Sequence, residues 1–243
     1  MKYIQPYSDK RYGLDKLNTD VYHPLRCIYC NNIASNGKGD HVPAKCFLVK
    51  PYPTGGNTLV TLPSCENCNN NTSLDEEYVS FLFKYIKFGD NSDEVLQFKN
   101  YISLNERILS QVDKESNTIQ IENDRLMNVL KRYGYALARY ECSVSININP
   151  IELTYGLISN MSQSQYDNFQ YISIQKEVAQ EIGARSSQLI IIEADYSIST
   201  YIHWKIVQDD IFRYVAFANI DNNIEVRMVF YDMFYVHAFF TQH

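Results

Sequence analysis

Two Cys-x-x-Cys pairs constrain this chain more than any other feature: Cys27 and Cys30 in "CIYC", and Cys65 and Cys68 in "CENC", separated by 34 residues. Each pair sets two sulfurs on one tight turn, and a tetrahedral zinc ion needs four. The spacing therefore reads as one four-thiolate Zn²⁺ site tying residues near 30 to residues near 65. Two buried or redox-active dithiols are the other reading, although nothing else in the chain looks like a thioredoxin unit. Four thiolates close the zinc shell, so this ion is structural, without an open position for water or substrate. Cys46 and Cys142 fall outside the pattern and read as core thiols.

Between the two pairs lies "GKGDHVPAKCF", residues 37–47. The ligand count leaves Asp40 and His41 free for another task. A carboxylate suits a hard divalent cation, and a histidine with a pKa near ~6.5 takes a proton from water around neutral pH. Hydrolysis of a phosphodiester needs both an activated water and charge on the departing oxygen. Adjacent side chains of a regular strand point to opposite faces, so joint action on one phosphate calls for a bend or twist. Gly37 and Gly39 make that bend cheap, and Pro43 ends regular pairing nearby.

The order Cys-x-x-Cys, Asp-His-Val-Pro, Cys-x-x-Cys-Asn resembles the HNH endonuclease family. More narrowly, "CIYC", "DHVPAKCF" and "LPSCENCNNNTSLDEEY" resemble a bacterial branch with a Glu/Asp-His-Val-Pro-x-Lys motif, over about residues 20–90. The resemblance implies a ββα-metal module in which Asp40 and Asn69 hold a catalytic Mg²⁺ or Mn²⁺ and His41 activates water. It also implies 5′-phosphate and 3′-hydroxyl products, and service in a bacterial defence, restriction or mobile-element system. The family's bracing asparagine falls at Val60 here, with Asn57 three residues upstream. A third metal-binding histidine, where the family has one, falls at Ser73, so water, Asp75 or Glu76 would complete the shell.

A net charge of −6 excludes a chain that coats nucleic acid indiscriminately, but the charge is uneven. Residues 1–50 carry eight Lys/Arg against four acids, and residues 151–243 carry five against eleven. Lys45, Lys38 and Arg26 are accordingly candidates for neutralising phosphates of DNA, or of RNA. The acidic C-terminal region suits a protein partner or self-association. The 20 tyrosines and 12 phenylalanines read first as half-buried faces and second as base-stacking platforms. Neither a run of about 18 apolar residues nor the apolar core of a signal peptide is visible, so the expected location is the cytoplasm, with no membrane partner.

"TLVTLP" reads as a strand. Ser73 and Glu76 form a capping-box pattern that starts a helix at Leu74, with apolar positions at Leu74, Tyr78, Phe81, Leu82 and Tyr85. The resemblance places Asn69 on a helix, so a short helical turn is expected to begin near Cys65 and to be continued or kinked at Ser73. Further helices are predicted at about 93–111 and 122–143, the second despite Gly134. Five segments, "QLIIIEA", "TYIHWKIV", "FRYVAFA", "IEVRMVF" and "FYVHAFF", then predict an antiparallel meander. The fold class is α+β: a zinc-stabilised HNH module over residues 1–92, then an α+β domain of helices and strands over 93–243, with the boundary at "DNSDE". Besides a DNA endonuclease, two other functions fit this pattern. One is a non-catalytic zinc module that binds nucleic acid; the other is a partner-binding or sensing protein acting through its C-terminal domain.

Overall fold

Val60 and Leu62 alternate with Thr61, the period of a strand buried on one face. In the computed structural model they form β2 (Val60–Pro63), paired antiparallel with β1 (Gly39–Val42). The structure describes residues 26–34, 39–53, 59–89, 110–113, 115, 118–142, 146–175, 188–192, 198–218 and 223–241. Pairing of β1 with β2 runs residue for residue from Gly39↔Pro63 to Val42↔Val60, without a bulge.

Helix α1 (Glu66–Phe88) follows the hairpin directly. It starts near Cys65, as the position of Asn69 suggests, and runs unbroken through Leu74, where the capping-box pattern places a start; the Cys65 sulfur caps it by accepting the Cys68 amide at 3.4 Å. Ser73 instead donates its hydroxyl to the Asn70 carbonyl one turn back, and Glu76 is turned into the protein. From Tyr78 to Lys84 the helix is buried on every side, whereas Leu74, a predicted core position, is 66% exposed.

A small hairpin, β3 (Val112–Asp113) with β4 (Thr118–Ile119), precedes α2 (Asn123–Cys142). The helix predicted at about 93–111 and the domain boundary near 92 fall largely on residues 90–109, outside the described residues. After α2 come β5 (Glu152–Leu157), the short helix α3 (Gln163–Gln170) and β6 (Ser173–Gln175). The five strand-rich segments then give β7 (Gln188–Ile192), β8 (Ile198–Ile202), β9 (Lys205–Gln208), β10 (Phe212–Ala218), β11 (Ile224–Phe230) and β12 (Phe234–Phe240).

They do not make one meander. "TYIHWKIV" breaks at His203–Trp204, leaving β8 in a three-stranded sheet of order β6-β8-β7 and β9 in a five-stranded sheet of order β5-β12-β11-β10-β9. The whole fold is mixed α+β with antiparallel sheets. Helix α2 packs on one face of the larger sheet. Helix α3 docks on the other through Phe169, against Trp204, Tyr235 and His237. Among the described residues no helix is long and apolar enough to cross a membrane.

One hydrophobic cluster runs from Ile28 to Phe240 and so joins residues on both sides of position 92. At its centre Phe47 meets Phe83 of α1, Tyr133 of α2 and Phe230 of β11, with ring centroids 6.2, 5.7 and 5.5 Å apart. Polar bonds cross the same line: Tyr231 donates to the Phe47 carbonyl, and the Gln208 amide makes two bonds to the Val49 backbone. Most described rings are therefore core rather than surface, as an aromatic body with a polar tip permits.

Gly134 lies mid-helix where α2 meets β12. A Cβ there would stand 3.2 Å from the Phe240 ring, which is fully buried. Gly134→Ala gains roughly 1 kcal/mol of helix propensity but overpacks a ring with nowhere to go, at a cost of about 1–3 kcal/mol. The expected net effect is a loss of about 1 kcal/mol in urea unfolding; a stabilised variant would show that Phe240 yields.

Candidate functional site

The Cys27 and Cys30 sulfurs come from a turn that closes with the Asn31 amide donating to the Cys27 carbonyl, and Cys65 and Cys68 come from the first turn of α1. All four sulfurs lie within 4.8 Å of one another, and Cys30 and Cys65 are 3.6 Å apart. A tetrahedron with Zn–S bonds near 2.3 Å has edges of about 3.8 Å, so the set is compatible with zinc. All six described cysteines are free thiols. Burial raises the Cys27 thiol, but the Cys65, Cys30 and Tyr29 backbone amides donate to its sulfur and bring it down to about 7. Such a group gives up its proton readily to a metal. Burial raises Cys30 and Cys68 of the cluster, and it likewise pushes Cys46 up to about 12 and raises Cys142; what sets these last two apart is that they lie outside the four-sulfur cluster.

The two faces of β1 carry different chemistry. On the inner face Asp40 is only 3% exposed, and its Oδ2 accepts three hydrogen bonds: from Tyr29 Oη at 2.7 Å, and from Arg132 Nη2 and Nε at 2.6 and 3.2 Å. The Arg132 guanidinium also stacks on the Tyr29 ring, 3.6 Å from its centroid. Glu76 of α1 belongs to the same inner cluster. Its Oε1 has no hydrogen-bond partner, and burial, then the Asp40 charge, push its carboxyl up to about 8.

On the outer face His41 is half-buried and its Nδ1 lies 2.9 Å from Thr61 Oγ1, the residue directly across the hairpin. Burial, helped by Lys45, lowers the His41 pKa below its usual value, with Asp40 opposing. The imidazole is therefore neutral at pH 7. Lys45 is exposed on a 3-10 turn (Lys45–Phe47), and it and Lys50 flank the Tyr52 ring at 5.9 and 6.0 Å.

Sequence reasoning and structure differ in how these groups are combined. Asp40 and His41 do not share a face, because β1 is regular through both residues; the bend expected of Gly39 is absent, and Gly37 lies outside the described residues. Asn69 is half-buried in the first turn of α1, where its amide donates to the Cys65 carbonyl. Arg26 is exposed and donates to the Asn31 carbonyl of its own knuckle, while Lys38 lies outside the described residues. Asp75 is engaged by Arg125 and Asn128 of α2.

The donor set expected for a catalytic Mg²⁺ or Mn²⁺ does not fit. A cation at Asp40 would have to displace Arg132 and leave a buried guanidinium unpaired, which is costly. Three residues of the site escaped the sequence reading. Thr61 is found from strand register alone, Tyr29 sits inside the "CIYC" motif, and Arg132, 92 residues beyond Asp40, carries no local signal. No family model, curated protein or solved structure matches the chain.

Chelation is expected to unfold the hairpin and the start of α1, since a structural four-thiolate zinc supplies about 10–16 kcal/mol, comparable to the whole stability of a domain. Circular dichroism with a chelator titration checks this, as does zinc content, which should fall well below one per chain in Cys65→Ser.

Glu76 generates a second expectation. Its folded pKa is raised to about 8 from the usual 4.5, so its contribution to stability is fully present below about pH 4.5 and is lost as the pH rises toward 8. Glu76→Gln removes that loss. Thermal unfolding should therefore favour the variant over the parent increasingly from about pH 6 to about pH 8 and level off above it, whereas a constant difference would show that Glu76 does not titrate in this range.

Proposed function

We propose that the chain hydrolyses phosphodiester bonds in DNA in the manner of the HNH endonucleases it resembles, with His41 as the general base. The observation that carries this reading is how His41 is held. Its ring is fixed at Nδ1 by Thr61 on the outer face of a hairpin flanked on both sides in sequence by the four clustered cysteines, and it is kept neutral by burial and Lys45. With Nδ1–H donating to Thr61, the Nε2 lone pair is left to accept a proton.

Nε2 takes the proton of a water whose oxygen attacks phosphorus. The P–O3′ bond breaks, and the 3′ oxygen takes a proton from solvent. Lys45, with Lys50 close by, offsets the phosphate charge along the same surface. Asp40, committed to Arg132, is given no part in holding a cation here.

A zinc module that binds nucleic acid without turnover is the second reading, favoured by the Asp40–Arg132 pair, which removes a carboxylate from the face of His41. Salt-sensitive binding with no cleavage would select it.

Cleavage of plasmid, linear duplex and single strands across Mg²⁺ and Mn²⁺ is the test, and the expected products carry 5′-phosphates. His41→Ala should lose about 100-fold or more in rate while keeping its zinc and melting temperature. Thr61→Val should lose about 10–100-fold, the size of effect seen when the hydrogen-bond partner of a metal-ligating histidine is removed, and Thr61→Ser should recover most of it. Parent-like cleavage by His41→Ala would remove His41 from the chemistry.

A further inference from the structure

We infer that Asp40 is a positioning residue and not a metal ligand: with Arg132 and Tyr29 it clamps the inner face of β1 to α2, so the histidine on the outer face is held in place by the C-terminal half of the chain. The meaning given to His41 rests on the nuclease reading above. The clamp itself rests on geometry.

Three elements meet at one carboxylate oxygen. Tyr29 belongs to the first cysteine knuckle, Asp40 to β1 and Arg132 to α2. Both side chains of the ion pair are nearly sealed, 8% and 4% exposed, so neither is a surface pair held loosely by water. The same stretch of α2 grips the neighbouring chain twice more. The Tyr133 hydroxyl accepts the Ala44 amide, just past the end of β1, and the Tyr135 hydroxyl donates to the Ile28 carbonyl within the knuckle. A helix about 90 residues away in sequence is thus bonded to the segments before, within and after the strand that carries His41. In a regular strand the outer residue goes where the inner one is pinned, because consecutive side chains share one backbone. Replacing the guanidinium by a cation would undo the clamp in the act of binding.

The experiment uses the full zinc-loaded chain in three measurements, none of which needs turnover. Chemical unfolding of Asp40→Asn, Arg132→Met and the double variant should show each single change lowering the folding equilibrium constant by about 100-fold. The double variant should be no worse than the poorer single one; effects that simply multiply would overturn the clamp. Calorimetric titration with Mn²⁺ alone should give Asp40→Asn the same affinity as the parent within about two-fold, or show no Mn²⁺ binding by either protein. A loss of Mn²⁺ binding confined to Asp40→Asn, with parent-like unfolding, would make Asp40 a ligand.

Nitrogen-15 spectra of His41 should report Nδ1–H in the parent and a mixture of both tautomers in Arg132→Met, at a temperature where that variant is folded. A parent-like ring in Arg132→Met would reduce Asp40 and Arg132 to stability alone and overturn their positioning of His41. A parent that cleaves nothing would defeat the nuclease reading and leave all three results standing.

Discussion

Four sulfurs drawn within 4.8 Å of one another are the constraint on which the N-terminal part of the structure depends. They fasten a turn near residue 28 to the start of α1, and the Cys65 sulfur that joins the cluster is also the cap of that helix. The helix dipole favours negative charge at this end, so a metal held by the four cysteines would also stabilise the start of α1. The short hairpin of β1 and β2 is marginal alone and gains its order from what surrounds it: the knuckles at one end and α2 across its inner face.

The second dependence is the seam between α1, α2 and the larger sheet. Phe47, Phe83, Tyr133 and Phe230 come from four distant parts of the chain and meet in one cluster. Asp40, Glu76 and Arg132 are buried beside it, two carboxyls around one guanidinium, and the imbalance is met by keeping Glu76 protonated. This polar pocket ties the strand of His41 to the helix of Arg132 with a specificity that apolar packing alone lacks. Its effect reaches the surface through β1, whose outer face carries His41.

The legible parts of the sequence are those where short-range chemistry decides. The four cysteines were found by spacing, α2 by its helical period through Gly134, and the late strands by their β-branched and aromatic runs. The capping box at Ser73 and Glu76 is only an imitation inside a continuous helix that begins near Cys65, where the real cap is a cysteine sulfur, a group outside the usual capping repertoire. The meander was misread because "TYIHWKIV" is continuous in composition, and only the pairing partners reveal that its two halves belong to different sheets.

By itself the sequence determined the mixed α+β class, the four-cysteine cluster, and the presence of a histidine and an aspartate between its two halves. Those follow from residue type and from spacings of a few residues, where local geometry leaves little choice. The tertiary structure decided what the aspartate does. Asp40 could equally have held a cation or an arginine, and its partner was set by the arrival of Arg132 from 92 residues away and by the regular pairing of β1 that turned Asp40 inward and His41 outward. Strand register and long-range packing are collective properties of the folded chain, and no motif of a few residues contains them.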